Sequence, residues 1–136
     1  MRVVIMGGTT GIGLATAARL AADGAEVVIT GRSAERVAAA VKLLGDRASG
    51  EAVDARDTEA MRDLFARTGA IDHLIITVTG RGPAGPLRSL TREALVEAVQ
   101  NKLIPHLLAA QAALDVLDPE GSITFVTAAS DRKSVV

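Results

Sequence analysis

Arg2-Val3-Val4-Ile5-Met6 runs directly into Gly7-Gly8-Thr9-Thr10-Gly11-Ile12-Gly13. The first stretch is a near-continuous apolar run, the pattern of a strand buried on both faces of a parallel sheet. The second holds four glycines in seven residues, and a helical pattern begins inside it. Gly7 permits a tight turn off the strand. Gly11, lacking a Cβ, lets the backbone approach a pyrophosphate. Gly13 lets the new helix pack close to the sheet. The free N–H groups of the first helical turn, aided by the helix dipole, then form an anion site, to which the Thr9 and Thr10 hydroxyls can add donors. A Walker phosphate loop would end in Gly-Lys-Ser/Thr, and this loop does not. A merely tight strand–helix turn is the plain alternative, but so many glycines weaken a helix entry unless something requires the space.

Outward from this loop, short β-branched runs alternate with longer helical stretches. The pattern predicts a helix over 11–23, with Ile12, Ala15, Ala18, Leu20 and Ala22 on or near its packing face and Gly24 at its C-terminal stop. A second strand is expected over 26–30. Ser33 then caps a helix to Leu44 that Gly45 ends. A short third strand over 51–53 precedes a helix capped by Asp57 and stopped by Gly69. A fourth strand is expected over 73–77, and residues 79–86 read as a loop by composition. A long apolar-periodic helical region over 91–117, broken near Asn101, leads through Pro119-Glu120-Gly121 to a fifth strand over 122–127. Five strands alternating with helices argue a parallel sheet covered on both faces, in the doubly wound order 3-2-1-4-5.

Composition bounds the chemistry. The 136 residues suit one domain, and 49% hydrophobic with 23% charged residues is the mix of a folded chain. Lys and Arg number 15 against 16 Asp and Glu, so no global field attracts nucleic acid or an anionic membrane. No Cys is present, which removes disulfides, thiolate metal sites and a cysteine nucleophile. Two His are too few for a histidine-built metal site. No apolar run reaches the roughly 20 residues of a membrane span. The start leads straight into a strand pattern with no signal peptide, so a cytoplasmic location is expected. Residues 1–130 are read as one nucleotide-binding domain, and 131–136 as a non-native or disordered tail. That hexapeptide, Asp131-Arg132-Lys133-Ser134-Val135-Val136, can be encoded by GAT CGG AAG AGC GTC GTG. This is a run within a common sequencing adapter whose next codon is a stop, so a longer parent gene is expected.

Gly7, Gly11 and Gly13 form a G-x-x-x-G-x-G pattern, and up to about Ser130 the chain resembles the short-chain dehydrogenase/reductase family. Met6 stands where that family often has Thr. The resemblance implies a Rossmann-type domain, here without the family's later strands, in a protein that moves hydride between nicotinamide and a carbonyl or alcohol. Cofactor contacts are expected from Gly7, Thr9, Thr10, Gly11, Ile12 and Gly13. At the end of strand two, Thr30-Gly31-Arg32-Ser33 offers a guanidinium fork in place of an acidic ribose reader. Arg32, with Ser33, therefore favours NADP(H) over NAD(H). Asp54 resembles the family's adenine-reading Asp, with Ala55 beside it, although an Asx-type turn before Asp57 is the plainer role. Thr77-Val78-Thr79-Gly80 stands where the family has Asn-Asn-Ala-Gly, so close cofactor approach is expected at Val78 and Gly80.

The family's Asn-Ser-Tyr-Lys constellation is incomplete. The sequence contains no Tyr. The family's Ser falls on Ala128, with Ser130 the nearby candidate, and the Asn position falls at Asn101 or Lys102. Those three residues are the catalytic candidates. His73 and His106, with no partner visible in the sequence, are read as structural. The resemblance also implies a homo-oligomer formed through the 91–117 region, and a small carbonyl or alcohol substrate for the parent protein. Two other readings stand beside it: a non-catalytic NADP(H)-binding or redox-sensing module, and a doubly wound scaffold without nucleotide. The glycine loop, and a first strand–helix turn without the acidic cluster of a receiver domain, argue against the scaffold.

Overall fold

A computed structural model of the chain describes residues 1–78 and 85–127. Gly80, Ala128, Ser130 and the 131–136 tail lie outside the described residues. Strand β1 (Arg2–Met6) is followed by α1 (Gly11–Ala22), β2 (Glu26–Gly31), α2 (Ala34–Leu44), β3 (Ala48–Ala52), α3 (Thr58–Thr68) and β4 (Ile71–Ile76). A 3₁₀ turn (Leu87–Ser89), α4 (Arg92–Ala98), a π turn (Val99–Leu103), α5 (Ile104–Ala113) and β5 (Leu117–Phe125) complete the order. The five strands are parallel, in the order β3-β2-β1-β4-β5.

β1 is central. It pairs with β2 from Arg2↔Glu26 to Met6↔Thr30 and with β4 from Val3↔His73 to Met6↔Ile76. Alternate residues of a strand face opposite sides, so the one apolar run serves two cores. Val4, Met6, Leu74 and Ile76 meet Met61, Leu64 and Phe65 of α3 and Ala109 and Ala113 of α5. Val3, Ile5, Val27 and Ile29 meet Ala17 of α1 and Val37 and Ala40 of α2. Full burial of Val3, Val4, Ile5 and Met6 contributes about 1.5–3 kcal/mol each, so this strand anchors both layers.

The helix starts follow the caps. Ser33 Oγ accepts from the Arg36 N–H at 3.3 Å, and Asp57 Oδ1 accepts from the Ala60 N–H at 3.0 Å. α2 and α3 end at Gly45 (φ +85°) and Gly69 (φ +71°), both in the left-handed region that favours glycine.

Four expectations need correction. The inner face of α1 is Gly13, Ala17, Leu20 and Ala21, whereas Ile12, Ala15, Ala18 and Ala22 are exposed. Close packing at Gly13 sets the rotation of the helix, and the 3.6-residue period carries that face onward. β3 lies at Ala48–Ala52, upstream of the expected 51–53. Its Ala-Ser-Gly-Glu-Ala sequence has no β-branched residue, and pairing with β2 (Val27↔Ala48 to Gly31↔Ala52) makes it a strand. β4 likewise begins two residues earlier than expected, because Ile71 is already paired with Leu117.

The helical region stops at Ala113, and Leu117 belongs to β5. The register jumps from Ile71↔Leu117 to His73↔Ser122, so residues 118–121 bulge out of the ladder. Asp118 Oδ1 accepts from the Glu120 N–H at 2.8 Å to close that bulge. A Cβ on Gly121 would strike the Asp72 carbonyl.

Candidate functional site

In an open parallel sheet, ligands lie beyond the carboxyl ends of the strands, where the chain switches from one side to the other. Here that point is between β1 and β4, where the glycine loop sits. Gly7 turns off β1 at φ +87°. A Cβ on Gly13 would run into the Gly7 carbonyl and come within 2.7 Å of Thr77 Oγ1. Gly13 thus allows α1 to close onto the loop and onto the end of β4. Thr77 ties these pieces together: its Oγ1 lies 2.9 Å from the Met6 carbonyl oxygen and 3.0 Å from that of Gly7, one O–H shared by two acceptors. A hydroxyl thus stands, and bonds, where the family has the first Asn of Asn-Asn-Ala-Gly.

The loop divides its donors. The Gly7 and Gly8 N–H groups donate to the Thr30 carbonyl at 3.1 and 3.0 Å, so they bind β2 and not a ligand. The amides of Gly11, Ile12 and Gly13 open α1 and have no partner among the described residues. Thr10 is the N-cap residue, yet its side chain caps nothing. Gly11 adopts φ +55°, and among the described residues nothing stands within 4 Å of where its Cβ would be. Ile12 beside them is 64% exposed, with no cover from the described residues. A helix end with open amides, no side-chain cap and free space in front of it fits a pyrophosphate. Thr9 is placed differently from Thr10: a Cβ on Gly31 would meet its Cγ2 at 2.6 Å, so Thr9 packs against the end of β2.

At that end, Arg32 is exposed, and its guanidinium makes no ion pair among the described residues. Ser33 spends its oxygen on the α2 cap and keeps its O–H proton for one further bond. Asp54, beyond β3, is already engaged. Its Oδ1 accepts from the Arg56 N–H at 3.0 Å and from Arg56 Nε at 3.1 Å, and its Oδ2 accepts from Arg56 Nη2 at 2.9 Å. Hydrogen bonds from the Arg56 side chain and then its backbone hold the Asp54 carboxyl below its ordinary value. Burial opposes this weakly, and the charges of Arg56 and Arg32 reinforce it. The same pair raises the Arg56 guanidinium. The Asx-type turn and the carboxylate candidate are therefore one feature. Ala55 is buried beside it.

Val78 lies at the exit of β4, and its carbonyl accepts from His106 Nε2 at 2.8 Å. His106 is buried on α5, with its ring 6.1 Å from that of Phe125. Its structural role is as expected, but it acts on a predicted site residue. His73, expected to lack a partner, has one: Nδ1 lies 2.9 Å from Ser122 Oγ on the neighbouring strand, in register. Asn101 and Lys102 both fall in the π turn and are half-buried. No described residue joins them into a hydrogen-bonded constellation.

The contacts of Thr77, His106 and Arg56 were not foreseen from the sequence. Arg56 was legible as the i+2 partner of an Asx turn, and Thr77 as a hydroxyl where the family has an amide. A groove of about 580 Å³ lined by Arg2, Glu26, Arg47, Gly50, Glu51 and Arg67 includes no glycine-loop residue. Two charge pairs span it, Arg2 with Glu26 and Arg67 with Glu51, and Arg47 Nη1 donates to the Gly24 carbonyl at 3.2 Å.

Comparison with known proteins agrees with this geometry. An oxidoreductase of Sarocladium schorii is 30% identical over 131 residues, covering 93% of this chain and 52% of the relative. The cis-4-hydroxycyclohexanecarboxylate dehydrogenase of Sinomonas cyclohexanicum is 32% identical over 133 residues, covering 93% and 53%. Among solved structures, a short chain dehydrogenase from Burkholderia cenocepacia in complex with NADP superposes with a TM-score of 0.74 at 37% identity, covering 91% of this chain and 54% of that one. The chain thus spans about half the length of the relatives it matches. The pattern of the family described as short chain dehydrogenase matches residues 1–135. On the glycine loop, the strand order and this match, the chain belongs to the short-chain dehydrogenase family.

Proposed function

We propose that this chain is the NADP(H)-binding portion of a short-chain oxidoreductase whose substrate is a small carbonyl or alcohol. The observation that carries this reading is the open entry of α1: among the described residues its first amides have no partner, no side chain caps it, and nothing meets a Cβ on Gly11. The backbone of Gly11–Gly13 holds the pyrophosphate, Arg32 and the Ser33 hydroxyl take the 2′-phosphate, and Asp54 faces the adenine. Val78, whose carbonyl His106 holds, is proposed to approach the cofactor closely, and Gly80, outside the described residues, is kept as a second such candidate. When bound, the nicotinamide supplies or accepts the hydride.

The protein's part is to orient that ring and to move a proton at the substrate oxygen. Within these 136 residues there is no Tyr to move it. The candidates Asn101, Lys102 and Ser130 can orient a substrate oxygen but do not replace a tuned phenol. This chain is therefore proposed to bind cofactor without normal turnover. We also propose self-association through the exposed apolar side of the 91–117 region, where Leu95, Val99, Leu103 and Leu107 are each 44–55% exposed.

Arg32→Ala tests the cofactor assignment. It should weaken NADPH binding about tenfold, the loss of one charge-assisted contact, and leave NADH binding unchanged. Equal effects on both nucleotides would overturn the 2′-phosphate assignment.

A further inference from the structure

We infer that Arg56 is a positioning residue for base recognition: it fixes the Asp54 carboxylate so that a single acceptor position on Oδ2 remains for the exocyclic amine of adenine. The inference rests on the proposed nucleotide site and deepens it. A carboxylate offers about four acceptor positions. Arg56 fills three of them, two on Oδ1 through its backbone N–H and Nε, and one on Oδ2 through Nη2.

The fork is geometrically demanding. The planar guanidinium and the backbone N–H come from one residue two positions along, so together they restrict the carboxylate to one orientation. The backbone around it is fixed as well. The Asp54 carbonyl accepts from the Asp57 N–H at 2.9 Å, Asp57 caps α3, and Ala55 is buried between the two partners. The free position is acceptor-only while the carboxylate is ionised, as an Asp side chain is at neutral pH. It therefore accepts from an amine and repels a carbonyl oxygen. That difference separates adenine from hypoxanthine, whose corresponding position carries oxygen.

The test is a set of binding titrations with NADPH, NADH and reduced nicotinamide hypoxanthine dinucleotide phosphate, on the chain and on Arg56→Ala and Arg56→Lys. Arg56 is exposed, so the variants should fold, as circular dichroism will report. The chain should prefer NADPH over the hypoxanthine nucleotide. Arg56→Ala should shrink that preference about threefold to tenfold, the scale of one net hydrogen bond, and Arg56→Lys should not restore it, since an ammonium cannot form the fork. The NADPH/NADH ratio should not move, whereas general damage to the site would weaken every nucleotide alike. An unchanged adenine preference in Arg56→Ala would overturn the inference alone. So would a selective loss of NADPH relative to NADH, which would assign Arg56 to the 2′-phosphate. Equal binding of both purine nucleotides by the unaltered chain would remove Asp54 as the reader. Failure of that chain to bind any of the three would overturn the nucleotide site itself.

Discussion

Thr30 sits fully buried at the end of β2 with no hydrogen-bond partner for its Oγ1 among the described residues. Its carbonyl is the opposite case, receiving both the Gly7 and the Gly8 N–H groups. The residue is thus held by its backbone while its hydroxyl goes unsatisfied. An unpaired buried hydroxyl costs about 1–3 kcal/mol, and valine has the same shape without it. Thr30→Val should therefore stabilise the chain by about 1 kcal/mol, seen as a rise in Tm of about 4 °C. A fall in Tm would show that the hydroxyl is bonded. Individual residues were unevenly legible. Gly7, Gly11 and Gly13 announced themselves because only glycine suits a positive φ or a missing Cβ. Thr77 and His106 did not, because their partners are set by chain crossings that no local pattern encodes, whereas Arg56 and Asp54 are only two residues apart.

Among the elements, the helices were read well where caps and glycine stops mark them, as at Ser33 and Gly45 or Asp57 and Gly69. The strands were read well only where β-branched residues supply the signal. β3 has none, and β5 hides its start behind a bulge. The expected break near Asn101 is the π turn at Val99–Leu103, and its cause follows from Pro105. Proline has no N–H for the Asn101 carbonyl, and its ring would press on that carbonyl, so the turn widens. Leu103, the last residue of that turn, and Leu107 on α5 stand 51% and 55% exposed, while the other face of α5 carries buried His106, Ala109 and Ala113. If this exposed side joins two copies, Leu103→Lys with Leu107→Lys should convert associated chain to monomer in sedimentation velocity while leaving the helical circular dichroism intact. An unchanged sedimentation coefficient would place self-association elsewhere or show that there is none.

Across the whole molecule, one buried strand organises two cores, and its exit forms the site. The doubly wound order was legible because alternation and handedness leave few other arrangements. The donors offered to a ligand were not, because the loop contains more amides than the ligand site uses. Gly7 and Gly8 serve the sheet, and only the opening of α1 faces free space. That division gives a test in which folding and binding move in opposite directions. Thr10 is an N-cap residue that makes no cap bond, so Thr10→Asp should stabilise α1 by about 0.5–1 kcal/mol through a better cap and the helix dipole. The same carboxylate would meet the pyrophosphate and repel it. With no Trp or Tyr in the chain, the fluorescence of added NADPH can be followed without indole or phenol background. The unaltered chain should bind NADPH saturably, and Thr10→Asp should keep or raise its Tm while losing at least about tenfold in affinity. Absence of NADPH binding by the unaltered chain, or undiminished binding by Thr10→Asp, would contradict a phosphate site at the start of α1.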